Sequence, residues 1–321
     1  MSTRPRCYLD TSVLRGLGDA ALGRLLADTS DFQPIVSALA ICELVSAVVD
    51  SSFVSVRAGL RRALYSRSVL HDGRFPEAIV ADAFGVDLDG GQFASLQRLA
   101  FEIANADSHE AFQAVEQSLL ASRTICYGSD CFHDEEARLN VRFVSATAAG
   151  AQKLREELRH AEPEEIEVGG ITIRPKAIRE DFAVNGGLFP INVRVSVLAL
   201  AADLAGRVLR GCHESPIWNA DTKRLYDAYM GDIDIYCAAL AHYNFPPLGS
   251  REQAKRNDVI DLKHFLYLGG AASCDALVTR DQGQFAIGSL VAPGRVFLVD
   301  STGKLAAVHG QSVAAERPSP Y

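Results

Sequence analysis

The sequence predicts an α/β protein in which the two ends of the chain build one core and a mainly helical middle elaborates it. Three observations carry this. Near the start, the short apolar runs Arg6–Leu9 and Pro34–Ser37 suit buried strands, and each is followed by apolar residues at helical spacing. Near the end, Ala276–Thr279 and Val296–Val299 repeat the pattern, after a helical stretch over Asn257–Leu268. Between them, residues 53–244 read as mainly helical, with breaks near Gly73, Gly85–Gly91, Gly128 and Gly150.

The first strand leads into Asp10-Thr11-Ser12, whose side chains can cap a helix carrying Val13, Leu14 and Leu17. After the second strand, helical spacing runs from Ala38 to Val49. One stretch of the middle departs from helical spacing. Glu165–Val168 and Ile171–Arg174 alternate around Gly169-Gly170, a hairpin signal because both turn residues can take positive φ. The expected division is therefore a discontinuous core from 1–50 and 245–308. Residues 51–244 form a helical elaboration that partly completes this core and holds a hairpin near 165–174, and 309–321 form a frayed tail.

Composition bounds the function class. The 321 residues are 48% hydrophobic and 22% charged, an ordinary globular mix, with net charge −8. This excludes a disordered chain and a strongly basic nucleic-acid packer, but leaves nucleic acid open as a substrate bound in a local groove. The acidic excess lies in the middle, and the two ends are nearly balanced. No run of about 18 apolar residues is present, so no membrane partner is expected. The opening, broken by Asp10, reads as mature protein and not as a signal peptide. Seven scattered cysteines suit free thiols in a reducing cytoplasm.

Three acids fall where an open α/β sheet places its active site, beyond a strand or at a helix start: Asp10, Asp261 and Asp281. Glu43 stands on an apolar helix face between Ile41-Cys42 and Leu44-Val45, where a carboxylate is costly unless paired or bound to a cation. Four such carboxylates suit Mg²⁺ or Mn²⁺, which prefer oxygen ligands. Plainer readings stand beside this one. Asp10 could be only a helix cap, Asp281 a strand-end turn, Glu43 a partner of an arginine, and Asp258 the N-cap of its helix. His264 reads as a packed, supporting histidine.

In order along the chain, Tyr8-Leu9-Asp10-Thr11-Ser12-Val13-Leu14, then Ser37 with Glu43-Leu44, then Asp261-Leu262-Lys263-His264, then Cys274-Asp275-Ala276-Leu277-Val278-Thr279-Arg280-Asp281 resemble the successive motifs of PIN-domain nucleases. The resemblance covers residues 1–50 and about 250–300. It implies an α/β/α sandwich with a central parallel sheet, and an acidic pocket that uses Mg²⁺ or Mn²⁺ to cleave phosphodiesters, usually in RNA. Asp10, Glu43, Asp261 and Asp281 match the four catalytic, metal-holding acids. Thr279, Thr11 and Ser12 would hydrogen-bond around the pocket. Asp258 remains a rival for the third acid, and Asp275 an additional one. With metal bound, such a site reverses sign and can accept an anionic backbone.

The expected function is a cytoplasmic metal-dependent endoribonuclease. RNA is the expected substrate, DNA is admitted by the same chemistry, and a protein inhibitor or second copy is an admissible partner. The rivals are a structure-specific DNA nuclease and a non-catalytic PIN scaffold that binds RNA or protein. An aspartyl-phosphate phosphohydrolase is disfavoured, because Ser12 stands where a second Asp would be needed. Arg57, Arg61 and Arg62, at helical spacing, could grip an RNA backbone or simply form a solvated face. Cys126 and Cys131, with His133 close by, read as buried thiols near a loop and not as zinc ligands, since no second closely spaced cysteine pair closes a zinc site.

Overall fold

Tyr8 at the centre of the first strand sits opposite Ile35 on one side and Leu277 on the other, and this register organises the molecule. The computed structural model describes residues 4–66, 68–83, 91–114, 164–168, 171–174, 176, 233–244, 256–269 and 274–306. The chain begins β1 (Arg6–Leu9), α1 (Thr11–Gly16), α2 (Asp19–Asp28), β2 (Gln33–Ser37), α3 (Ala38–Ser46), a short 3₁₀ turn, α4 (Phe53–Tyr65) and β3 (Leu70–Asp72). It continues with α5 (Pro76–Ala83), α6 (Gly91–Asn105), a hairpin of β4 (Ile166–Val168) and β5 (Ile171–Ile173), and α7 (Asp234–Asn244). It closes with α8 (Arg256–Lys263), a 3₁₀ segment (His264–Leu268), β6 (Ala276–Thr279), α9 (Gln282–Val291) and β7 (Val296–Leu298).

Five strands form an all-parallel sheet in the order β3-β2-β1-β6-β7. β6 is buried along its whole length and β1 at all but its first residue, as parallel strands covered on both faces should be. Alternation assigns the faces. Cys7, Leu9, Val36, Ala276 and Val278 join Val13 and Leu14 of α1, Leu44 of α3, Leu60 of α4 and Leu99 of α6 in one apolar cluster. On the other face the Tyr8 ring stacks on Tyr267 of the 3₁₀ segment, centroids 5.0 Å apart, and α7 and α8 pack against that segment.

The course of the strands creates the crevice. From β1 the chain moves to β2 and β3 on one side, then returns to lay β6 and β7 on the other. The order therefore reverses between β1 and β6, where an open α/β sheet leaves a cleft at its carboxyl ends.

Two local readings change. Leu70–Asp72 is an edge strand inside a region read as helical. It has three residues and one exposed leucine, so it shows neither an apolar run nor alternation. The helix expected over Asn257–Leu268 ends at Lys263, and the next five residues form a tighter 3₁₀ segment. All five are buried, which a single stripe of a 3.6-residue helix cannot provide. Asp258 is accordingly the third residue of α8 and not its N-cap.

The core also draws on residues beyond 50: Phe53, Val56 and Leu60 of α4, and Leu96, Leu99 and Ile103 of α6. The expected hairpin strands pair with Val168 opposite Ile171, and Gly169-Gly170 lie outside the described residues. Cys126, Cys131, His133 and the tail from 309 also lie outside them.

Candidate metal centre

Asp10 leaves β1 at its carboxyl end, with its backbone N–H on the Val278 carbonyl of β6, so it stands at the crevice. It is the N-cap of α1, and it is buried. One carboxylate oxygen, Oδ2, accepts from the Ser12 N–H at 3.2 Å, the Ser12 hydroxyl at 2.5 Å and the Thr279 hydroxyl at 3.0 Å. The other, Oδ1, accepts from the Thr11 N–H at 2.7 Å and lies 3.5 Å from His264 Nε2. Capping and site formation are thus one arrangement: the cap fixes the carboxylate and leaves Oδ1 beside His264.

Glu43 reaches the same point from α3, whose start is fixed by the Ser37 hydroxyl accepting from the Ala40 N–H at 3.0 Å. Its neighbours Ile41, Cys42, Leu44 and Val45 are buried, and no arginine pairs with it among the described residues. The carboxylate takes the Thr11 hydroxyl and stands 2.8 Å from His264 Nε2. Burial pushes the Glu43 pKa up, but the His264 charge, its hydrogen bond and the Thr11 hydroxyl outweigh this and hold it below the usual value.

His264 is fully buried, and both ring nitrogens are engaged: Nε2 with Glu43, Nδ1 with the Tyr8 hydroxyl at 2.5 Å. The Tyr8 hydroxyl in turn meets the Ser37 hydroxyl at 2.8 Å. Burial alone would lower the imidazole's pKa; Glu43, then Asp10 and Asp261, raise it to about 9. Without a metal, His264 therefore carries a proton between the two carboxylates at neutral pH. The signal for this role was present in the sequence, since Asp261-Leu262-Lys263-His264 puts the histidine three residues after an acid at the crevice. An imidazole that leads an apolar run nevertheless reads as packing first.

The remaining acids flank this group. Asp261 on α8 is half-buried, and burial, then the charges of Glu43, Asp10 and Asp281 against the pull of His264, push its carboxyl up to about 7. Asp281 follows β6, is exposed, and caps α9 by accepting the Gln284 N–H at 2.7 Å. Its own N–H donates to the Thr279 hydroxyl at 2.9 Å, the group that also holds Asp10. Gln284 ties the two flanking acids: it is buried and donates from Nε2 to the Asp261 carbonyl at 3.2 Å.

Other sequence candidates lie elsewhere. Asp275 precedes β6, at the opposite end of the strand from Asp281, and accepts the Arg6 N–H at 2.7 Å, so it is no additional acid of this pocket. The Asp258 side chain is outside the described residues. Arg62 donates to the Leu14 carbonyl and Asp19, and Arg57 to the Ala104 carbonyl. Both tie helices together and are half-buried, whereas Arg61 is exposed.

One oxygen of Asp10, one of Glu43 and the imidazole nitrogen of His264 lie within 4.8 Å of one another. Two ligands at right angles around a Mg²⁺- or Mn²⁺-sized ion bound at about 2.1 Å are about 3 Å apart. The separations of 2.8 and 3.5 Å fit that requirement. The imidazole adds a nitrogen donor, which suits Mn²⁺ better than Mg²⁺. Millimolar Mn²⁺ is therefore expected to stabilise the fold by mass action, by about 2.7 kcal/mol at a hundred times Kd, and so to raise the melting temperature. The gain should be larger at pH 8 than at pH 6, because ligands must shed protons to bind. Differential scanning fluorimetry checks it, and a melting temperature indifferent to Mn²⁺ would exclude a preformed centre.

No family model, curated protein or solved structure matches this chain.

Proposed function

We propose that the chain is a metal-dependent endoribonuclease with a PIN-like α/β/α sandwich, acting on RNA in the cytoplasm with Mn²⁺ or Mg²⁺. The observation that carries this reading is the convergence of Asp10, Glu43 and His264 at the point where the sheet order reverses, with Asp261 and Asp281 beside them. The resemblance of the four acidic motifs, in order, to those of PIN-domain nucleases supports it. The cytoplasmic setting rests on Cys7, Cys42 and Cys274, which are buried free thiols, and burial pushes Cys7 and Cys274 up to about 12. Among the described residues, no helix is long and apolar enough to cross a membrane.

The chain's own groups divide the work. Asp10 and Glu43, with His264 Nε2 once it has lost its proton, would hold the cation. Ser12, Thr279 and Thr11 fix the carboxylates by hydrogen bonds, so little ordering remains for the moment of binding. A divalent cation supplies Lewis-acid neutralisation of the phosphodiester and lowers the pKa of water. Asp281 sits at the exposed rim, where a polymer can reach it, and half-buried Asp261 stands beside the group.

The test is cleavage of labelled RNA and DNA of one sequence by pure protein with Mn²⁺, Mg²⁺ or EDTA, beside Asp281→Asn. Cleavage of RNA is expected with metal only, and its loss in the variant. The fold should persist, because Asn caps a helix as well as Asp does, so the melting temperature should stay within a few degrees. Cleavage in EDTA, or full activity of the variant, would sink the reading. Cleavage of DNA alone would replace it with the DNA nuclease, and binding without cleavage with the scaffold.

A further inference from the structure

Arg280 lies between Thr279, which holds Asp10, and Asp281 at the rim. Its N–H donates to the Ser12 hydroxyl at 2.9 Å, and that hydroxyl donates to Asp10 Oδ2. The backbone of Arg280 is thus tied to the candidate centre through one side chain. Its own side chain then runs alongside α1. A Cβ built on Gly16, the last residue of that helix, would lie 1.9 Å from Nη1 and 3.0 Å from Cζ. The guanidinium therefore rests on bare backbone, in a seat that exists because residue 16 has no side chain.

No acceptor meets this guanidinium among the described residues, although Asp281 is its neighbour in sequence. The contrast with other arginines is informative. Arg295 is bound to the carbonyls of Leu268, Cys274 and Asp275, and Arg74 to Asp72. Arginines without an acceptor, such as Arg15, Arg24, Arg61 and Arg98, stand exposed in water. Arg280 is half-buried, positioned from both ends, and carries five donors that no described residue engages. Ser12 and Gly16 are four residues apart on α1, about 6 Å along its axis. The fork thus lies beside the carboxylate centre and not within it.

We infer that Arg280 binds a backbone phosphate of the nucleic acid adjacent to the one being cleaved, and so sets the register of the strand over the centre. This rests on the nuclease reading. A planar guanidinium grips a phosphate through two parallel hydrogen bonds, which a lysine cannot reproduce. Such a cation also offsets the repulsion a polyanion meets on approaching Asp10, Glu43, Asp261 and Asp281.

The experiment is fluorescence anisotropy of a labelled single-stranded RNA, and a DNA of the same sequence, with full-length protein and Ca²⁺ in place of Mn²⁺. Wild type, Arg280→Gln, Arg280→Lys, Gly16→Ala and the Gly16→Ala/Arg280→Gln double variant are compared across a salt series. Arg280→Gln is expected to weaken binding of both polymers about tenfold and to flatten the dependence of log K on log salt by about 0.7, the signature of one lost phosphate contact. Arg280→Lys should keep the salt slope and lose most of the affinity. In Gly16→Ala the new methyl meets the far end of a flexible side chain, so the fold stands while the fork is displaced. It should reproduce part of the loss in wild type and add nothing to Arg280→Gln. Wild-type affinity and slope in Arg280→Gln would overturn the inference, as would a loss confined to RNA, which would point to the 2′-hydroxyl. Should Arg280→Gln melt early, an unaltered Gly16→Ala would overturn it. Wild type binding neither polymer would overturn the nuclease reading itself.

Discussion

Asp10→Asn is expected to cut metal-dependent cleavage by about a thousandfold or more and, unlike Asp281→Asn, to destabilise the metal-free protein. Lost cation binding removes several kcal/mol of transition-state charge stabilisation, and each 1.4 kcal/mol is tenfold in rate. The stability effect comes from hydrogen-bond arithmetic. Oδ2 accepts from three donors and Oδ1 from the Thr11 N–H. An asparagine can serve one side with its carbonyl, but its NH₂ then faces a donor on the other. Leaving a buried donor unmatched costs about 1–3 kcal/mol. Asp281 is exposed, and as an N-cap it makes one hydrogen bond that asparagine can make as well. Cleavage rates and thermal melts of the two variants side by side check the distinction. Equal melting of both, or cleavage retained in Asp10→Asn, would show that Asp10 has been assigned the wrong role.

The parts of this protein that could be read from the sequence are those where one local signal had one physical cause. β1, β2 and β6 are apolar runs because a parallel strand with both faces covered has no polar side to show, and β7, at the edge, is apolar though only partly buried. β3 was not legible, since an edge strand of three residues pairs through its backbone and needs no side-chain pattern. Asp10 and Glu43 stood out because a carboxylate beside apolar residues demands a reason. The role of His264 was only faintly legible: its spacing from Asp261 pointed to the crevice, but an apolar run follows it and its partners, Tyr8, Asp10 and Glu43, are more than two hundred residues away. Arg57 and Arg62 show a limit of spacing arguments. Helical spacing shows which residues share a face, but not that the face is already occupied by Asp19, Leu14 and Ala104. Asp275 stood as an additional acid within the motif that ends at Asp281, yet an extended strand of four residues carries it to the opposite end of the sheet.

Glu43→Gln should destabilise the metal-free protein strongly near neutrality and hardly at all above pH 9. His264 has a folded pKa of about 9, above its usual 6.5. A raised pKa means that the folded state holds the proton more tightly than the unfolded one. The stabilisation is therefore complete below about 6.5 and disappears as pH rises through about 9. Glu43 is shifted the other way, so its contribution is present above about 4.5 and is lost as pH falls below that. The pair thus stabilises most between about pH 5 and 6.5. Glutamine keeps the shape and can still accept from Thr11 and His264, but it leaves a buried imidazolium without its main counter-charge. Breaking a buried pair on one side costs about 3–5 kcal/mol, reduced here to whatever His264 recovers by releasing its proton. A loss of about 3 kcal/mol is expected at pH 6, falling below about 1 kcal/mol by pH 9.5, where the wild-type imidazole is neutral too. Denaturant unfolding of EDTA-treated protein at pH 6, 7.5 and 9.5 measures this directly. A penalty of the same size at all three would mean that Glu43 acts through packing, and that the proton held between Glu43 and Asp10 contributes nothing.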